Sequence, residues 1–228
     1  MKRTKWYVAA IMLFAATLLV IGCEKEPKPA GESTSDWVDL GLPSGLLWAT
    51  CNVGATSPED YGDYFAWGET SPKSVYNWNT YCYCNGDFRQ LTKYCNKSSL
   101  GYNGFTDSLT ILQPGDDAAT ANYGGRTPTK EEWEELLDNT TFSETTQNGV
   151  DGWCFTSTNG NSLFFPAAGY LRDSSLIRAG SMGCYWSSSL AMNYSGGAWH
   201  FDFYLDHRSK GYSDRTDGLS VRAVRSAR

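Results

Sequence analysis

The chain has 228 residues, of which 41% are hydrophobic, and it carries 19 Lys and Arg against 25 Asp and Glu. This length and apolar content are sufficient for a domain with a buried core. The formal charge of −6 would repel a polyanion, and the basic residues near the C-terminus are scattered rather than gathered into a stripe. The composition therefore excludes nucleic acid as an expected partner.

The first 23 residues have the pattern of a bacterial lipoprotein signal. Three of the first five residues are cationic, and an apolar run follows over 6–21. A positive first segment and a short apolar run are two of the features of a secretory signal. A transmembrane helix is the alternative, but the run of about 16 residues is shorter than the ~20 that a bilayer requires. Gly22 followed by Cys23 resembles a lipobox, so we predict a signal peptide at 1–22 and lipidation of Cys23.

Residues 23–35 are predicted to be a flexible linker, because charge, Pro and Ser occur there without apolar periodicity. Removal of the signal takes away three basic residues, which leaves 16 basic against 25 acidic residues and a formal charge of −9. Glu24 and Glu26 resemble the acidic residues that follow the lipidated cysteine in Bacteroides-type lipoproteins. That resemblance implies an outer-membrane protein, held by a lipid anchor and facing the cell exterior. Residues 36–228 form the predicted domain.

One helix is strongly indicated after Pro128. Thr129 as N-cap and Glu132 three residues later make a capping box. Trp133, Leu136 and Leu137 follow at the spacing of one buried helix face. We predict that this helix packs on a sheet and that a second, short helix lies near 117–121.

Strand and turn signals dominate the rest of the chain and predict an α+β, β-rich fold. Alternating residues over 153–166, with Asn159-Gly160 as the turn, predict a hairpin. Near the C-terminus, Trp199, Phe201 and Phe203 should lie on one strand face, and His200, Asp202 and Tyr204 on the other. We expect these strands, and a last strand over 219–223, to belong to one antiparallel sheet.

Six cysteines remain once Cys23 is lipidated, and they allow 15 disulfide pairings. We expect Cys84 to pair with Cys95, because the two bracket a short polar segment with an Asn-Gly turn. A zinc site at Cys82, Cys84 and Cys95 is the alternative, but no histidine lies near to complete it. Loop carboxylates at 116–117, or in the C-terminal loops, leave a calcium site open, although no EF-hand spacing occurs. Our prediction is that the chain holds no metal and no cofactor.

Several motifs in a fixed order resemble the Fibrobacter succinogenes major paralogous domain family. They are WVDLGLPSGLLWA at 37–49, CNVG at 51–54, YGDYFAWGE at 61–69, PTKEEW at 128–133, YWSSS at 185–189 and SVRAVR at 220–225. The resemblance implies a fold like that of C-type lectins and formylglycine-generating enzymes, with a twisted antiparallel sheet, one or two short helices and long loops. The chain departs from the family pattern at 124–129, which lacks the expected tryptophan.

The resemblance does not carry an activity to this chain. The sugar- and calcium-binding triplets of C-type lectins are absent, as are the paired catalytic cysteines of the formylglycine-generating enzymes. Only His200 and His207 could serve a Ser-His-Asp device, and neither follows a nucleophile motif. A glycosidase would need two carboxylates at a defined separation, which sequence does not reveal. We therefore expect a protein that is not an enzyme.

Binding is the favoured function because the chain has 9 Trp and 14 Tyr, and such side chains offer large contact area at low entropic cost. Trp48, Trp67, Trp133 and Trp186 are assigned to the core. We expect an extracellular protein or glycan ligand, with a scaffold role in the envelope or a binding region diversified by a retroelement as alternatives. The predicted ligand-binding residues are Tyr185, Asn193, Tyr194, His200, Asp202, Tyr204, His207, Tyr212, Asp214 and Arg215.

Overall fold

A computed structural model describes residues 36–194, 196–204 and 207–227. The predicted signal, Cys23 and the predicted linker lie outside these residues. The helices and strands are β1 (Trp37–Asp39), β2 (Leu46–Asn52), α1 (Ala118–Asn122), α2 (Lys130–Asn139), β3 (Thr140–Gln147), β4 (Val150–Ser157), β5 (Ser162–Pro166), β6 (Tyr170–Arg172), β7 (Ser175–Ile177), β8 (Met182–Leu190), β9 (Gly197–Tyr204), β10 (His207–Asp214) and β11 (Arg222–Ser226). The fold is β-rich, with antiparallel sheets and two α-helices, as the sequence predicted.

The strands of the described residues form four small sheets, so the prediction of one antiparallel sheet is wrong. Their orders are β1-β2-β11, β3-β4-β5, β8-β9-β10 and the pair β6-β7. The reason lies between β10 and β11. There Leu219 and Ser220 make single bridges to Phe65 and Tyr185, so β9 and β11 do not become neighbours.

The predicted hairpin over 153–166 is confirmed as β4 and β5. Trp153 pairs with Phe165, and Phe155 pairs with Leu163. Gly160 in the connecting turn has φ of +88°, which glycine adopts without a steric penalty. The four aromatic and aliphatic side chains are all buried, so the alternation read from the sequence places them in the main core.

Helix α2 is confirmed with its predicted cap. The Thr129 side chain accepts from the Glu132 backbone N–H, and the Glu132 side chain accepts from the Thr129 backbone N–H. Trp133 is fully buried. Its ring stacks on Phe201 with centroids 5.3 Å apart, and its Nε1 donates to the Trp186 carbonyl at 3.2 Å. The helix is thereby fixed across the sheet that contains β8 and β9.

The second predicted helix and the four predicted core tryptophans are also confirmed. Asp117 accepts from the backbone N–H of Ala119 at 3.0 Å, which begins α1 one residue after the cap. The four indole rings at 48, 67, 133 and 186 are no more than 1% exposed. Trp67 belongs to a long segment between β2 and α1 whose buried aromatic side chains pack in two of the core clusters.

Arg222 connects two of the sheets from inside the protein. Its side chain is fully buried and donates to Asn52 Oδ1 at 3.0 Å and to the carbonyls of Ala49 at 3.0 Å, Thr50 at 2.7 Å and Phe164 at 3.1 Å. The first three acceptors are in β2 and the last is in β5. A buried charge is tolerated when its donors are satisfied, and these acceptors take four of the five guanidinium N–H groups.

Replacement of this guanidinium tests the connection. We expect Arg222→Lys to lower the free energy of unfolding by about 3 kcal/mol or more, because a lysine ammonium has three donors at one point and cannot reproduce the planar fork. Urea denaturation measures the loss. Arg89→Lys, at an exposed position, should cost less than about 1 kcal/mol. Equal losses in the two variants would contradict this role for Arg222.

Candidate functional site

The predicted ligand-binding residues lie mostly on β9 and β10, whose antiparallel pairing sorts them onto two faces. Residues directly opposite each other share a face. Tyr212 is opposite Trp199, and Asp214 is opposite Gly197, so these lie on the face that also carries Phe201 and Phe203. Tyr204 is opposite His207, and this pair shares the other face with His200 and Asp202. The ten predicted residues therefore do not form one site.

Three aromatic rings meet at the exposed end of the first face. The Tyr194 and Tyr212 ring centroids are 5.5 Å apart, and those of Trp199 and Tyr212 are 6.2 Å apart with the rings nearly perpendicular. Tyr212 is 55% exposed and Tyr194 is 37% exposed. We call Tyr194, Trp199 and Tyr212 the aromatic shelf, since the rings pack on one another and leave one side open to solvent.

The position of Tyr194 is fixed by a close approach to glycine. A Cβ atom at Gly197 would lie 2.5 Å from Tyr194 Cδ1, so only glycine at the start of β9 lets the ring lie against the strand. The Tyr194 hydroxyl donates to Asp214 Oδ1 at 2.6 Å. Burial and this hydrogen bond raise the pKa of Tyr194 to about 12. The hydroxyl therefore remains a proton donor at neutral pH.

A row of ion pairs begins where the shelf ends. Lys130 Nζ lies 5.2 Å from the centre of the Trp199 ring, a cation–π distance, and 2.9 Å from Glu134 Oε1. The same Glu134 oxygen accepts from Lys210 of β10. Both lysines lower the pKa of Glu134 through these contacts, the Lys210 hydrogen bond most strongly. We call Lys130, Glu134 and Lys210 the ion-pair row.

An open groove continues from the row. It has a volume of about 400 Å³. Arg208 on its wall lies over the Phe142 ring with 5.1 Å between guanidinium carbon and ring centre. Polar side chains dominate the lining, which consists of Glu134, Leu137, Asp138, Arg208, Ser209 and Lys210.

The other face of the strand pair carries a compact polar network. His200 Nε2 lies 3.1 Å from Asp202 Oδ2, and Ser209 Oγ donates to Asp202 Oδ1 at 2.5 Å. Burial raises the pKa of the Asp202 carboxyl, but the hydrogen bonds from His200 and Ser209 lower it by more, and the net pKa lies below its usual value. The carboxylate stands between serine and histidine, so the histidine is not placed to activate the serine as in a catalytic triad.

Three predicted ligand-binding residues are buried: Tyr185, Arg215 and His200, the last with 8% of its surface exposed. For Tyr185 and Arg215 the assignment to the binding surface is wrong. Tyr185 is 0% exposed, and its hydroxyl donates to the Pro166 carbonyl at 2.9 Å. Arg215 is also 0% exposed and donates to the Tyr94 carbonyl at 2.9 Å. Both polar groups have partners inside the protein, so neither faces a ligand. Asn193, by contrast, is exposed in the turn before Tyr194.

The predicted disulfide between Cys84 and Cys95 is not formed in the structure, where all six described cysteines are free. The Cys84 thiol contacts the Trp78 carbonyl at 3.1 Å, and the Cys95 thiol contacts the Lys97 carbonyl at 3.2 Å. The two sulfur atoms thus have separate backbone partners.

The carboxylates considered for calcium are occupied by donors of the chain itself. Asp116 accepts from Tyr83 at 2.7 Å and from Lys93 at 2.5 Å. Asp117 caps α1 and also accepts from Thr127 Oγ1 at 2.6 Å. Within 36–194, 196–204 and 207–227, no group of three or more His, Cys, Asp and Glu side chains is arranged to hold a metal ion.

Sequence reasoning missed the tryptophan of the shelf and the whole ion-pair row, namely Trp199, Lys130, Glu134 and Lys210. The alternation of β9 groups Trp199 with the buried Phe201 and Phe203, and nothing in it signals that Trp199 lies at the open end of the face. Lys130 and Glu134 are four residues apart on a helix, which predicts their mutual ion pair. Their contact with β9 and β10 depends on tertiary packing, for which the sequence offers no local signal.

Comparisons with protein-family models, with curated proteins and with solved structures found no match to this chain. In the part of the chain that the structure describes, no helix has the length and apolar character needed to cross a membrane.

The Asp202 network predicts a pH dependence. A carboxyl group with a lowered pKa in the folded state stabilises the fold above its unfolded pKa of about 3.9, and that contribution is lost as pH falls through the folded pKa. We expect Asp202→Asn to lower the free energy of unfolding at about pH 5. The difference in this free energy between the variant and the wild type should shrink toward about pH 2. Urea unfolding across this range measures it. A gap that does not change with pH would contradict the lowered pKa.

Proposed function

We propose that this protein is an outer-membrane lipoprotein, anchored through Cys23 and facing the cell exterior, whose domain over 36–228 binds an extracellular protein or glycan without catalysing a reaction. The observation that carries the proposal is the aromatic shelf. Large aromatic side chains left in water at the end of a strand pair are unfavourable for an isolated domain, and they supply rigid contact area for a ligand.

The same proposal includes a domain of the Fibrobacter succinogenes major paralogous type with a C-type-lectin-like fold. The ordered motifs of the sequence support it. A β-rich domain with antiparallel sheets, two helices and a long aromatic-bound segment between β2 and α1 is compatible with that fold. Fold alone does not decide activity, so the binding function is argued from the shelf rather than from the resemblance.

The absence of catalysis is proposed from side-chain geometry. On the described strand pair, Ser209 donates to Asp202 rather than to His200, and the carboxylate has a lowered pKa. An ionised carboxylate that accepts two hydrogen bonds has no proton to give and is a poor general acid. The polar network therefore supports the structure of the strand pair rather than proton transfer.

The anchor is tested by removing its cysteine. We expect the full chain, expressed in a Gram-negative host, to incorporate a fatty-acid label and to fractionate with the outer membrane. Cys23→Ser should abolish labelling, because the thiol is the site of the thioether. Cys154→Ser, which changes a cysteine within the domain, should retain the label. An unmodified thiol at position 23, or labelling that survives in Cys23→Ser, would contradict the anchor.

Binding is tested on an array that carries neutral glycans, acidic glycans and extracellular proteins. We expect the detergent-solubilised full chain to retain a ligand there, and Tyr212→Ala to lose it because the most exposed ring of the shelf is removed. Tyr102→Ala, which removes another exposed tyrosine (42% exposed), should retain the ligand.

Three results would argue against this function or against its location on the shelf. Binding that is lost with Tyr204→Ala but kept with Tyr212→Ala would place the ligand on the other face of the strand pair. Turnover of an arrayed glycan would indicate an enzyme. Failure to bind anything, together with constant recovery in one envelope complex, would indicate a scaffold.

A further inference from the structure

The shelf, the ion-pair row and the groove make one continuous open track. Lys130 contacts the Trp199 ring of the shelf and pairs with Glu134. Glu134 pairs in turn with Lys210, and both of these side chains line the groove. A ligand that lies on the shelf therefore meets the row next and the groove beyond it. The track is long and open rather than a closed pocket, which suits a linear chain of small units.

The charges along the track balance. It carries three cationic side chains, Lys130, Lys210 and Arg208, and three anionic ones, Glu134, Asp138 and Asp214. Both lysines are already paired with Glu134. An acidic ligand would have to displace these partners, and it would approach a mature chain with formal charge −9. A neutral ligand meets neither barrier.

The order of groups along the track argues against a protein as the ligand. Protein interfaces have a dry, apolar centre, and charged groups are depleted there and lie at the rim. Here the charged row stands in the middle, between the shelf and the groove. Paired charges with free lone pairs and N–H groups instead suit a ligand that offers many hydroxyls, each able to donate and accept. An exposed ring such as Tyr212 suits the apolar face of a sugar ring.

We propose that the track binds a neutral linear glycan. One hexose unit stacks on Tyr212, the next units form hydrogen bonds with Lys210 and Glu134, and the following units occupy the groove beside Asp138. This inference rests on the proposed binding function and adds the ligand class and the direction in which the ligand lies.

Calorimetric titration of the detergent-solubilised full chain tests the proposal with named probes of equal length. These are cellohexaose, mannohexaose and xylohexaose as neutral glycans and hexagalacturonate as the acidic one. We expect at least one neutral hexasaccharide to bind, and hexagalacturonate to bind about tenfold more weakly or not at all. Tyr212→Ala should lower the affinity for the neutral glycan by about tenfold, which corresponds to the loss of one stacking contact. Tyr102→Ala should leave its affinity unchanged.

The track is tested separately from the shelf. Lys210→Ala should lower the affinity for the hexasaccharide but not for the disaccharide of the same sugar, because the disaccharide does not extend past the shelf. An equal loss of affinity for the hexasaccharide and the disaccharide would contradict the proposal that the ligand extends along the track. Equal or tighter binding of hexagalacturonate, or failure of every neutral probe to bind, would overturn the ligand class. If a protein from the array binds in a Tyr212-dependent way, the proposed function stands and the glycan inference fails; if no ligand depends on Tyr212, both fail.

Discussion

The contact between Trp133 and Phe201 determines where the candidate site lies. The two rings stack at 5.3 Å with an angle of 19° between their planes, and the contact holds α2 against the face of β9. Because side chains alternate along a strand, Trp199 and Phe203 project to the same side as Phe201. Phe203 is covered by the core. Trp199 lies outside this core cluster, and the ammonium group of Lys130, the first residue of α2, lies over its ring. The shelf is thus the uncovered continuation of the core face.

Because the shelf continues a buried face, the strand pair stays folded although its outer aromatic side chains are exposed to solvent. The inner residues Phe201 and Phe203 of β9 are fixed by an aromatic cluster around Trp133. The outer ring, Trp199, packs against Tyr212. The glycine at 197 allows Tyr194 to close against the strand, and Asp214 fixes the hydroxyl of that ring. A surface that is rigid before the ligand arrives loses less entropy on binding. Arg222 joins β2 to β5 by buried hydrogen bonds, so this connection does not involve the side chains of the shelf.

Local patterns in the sequence predicted the elements but not their assembly. The capping box at Thr129, the Asn-Gly turn at 159–160 and the alternation over 199–204 each encode structure within a few residues. The division into four sheets depends on single bridges between distant segments, for which no short motif exists. The sequence predicts Tyr185 and Arg215 at the surface because both fall in the C-terminal region rich in polar and aromatic residues, a composition typical of binding loops. Both are instead buried, and carbonyl groups distant in sequence, those of Pro166 and Tyr94, accept their hydrogen bonds.

Hydroxyl-radical footprinting of the full chain with and without its bound glycan tests the central claim most directly, because it reports solvent access at individual side chains. Protection of Tyr194 and Tyr212 on binding, with Tyr204 on the opposite strand face and Tyr102 outside the strand pair oxidised as before, is the result expected for a ligand on the shelf. Protection of Tyr204 and His207 with no change at Tyr212 would contradict it.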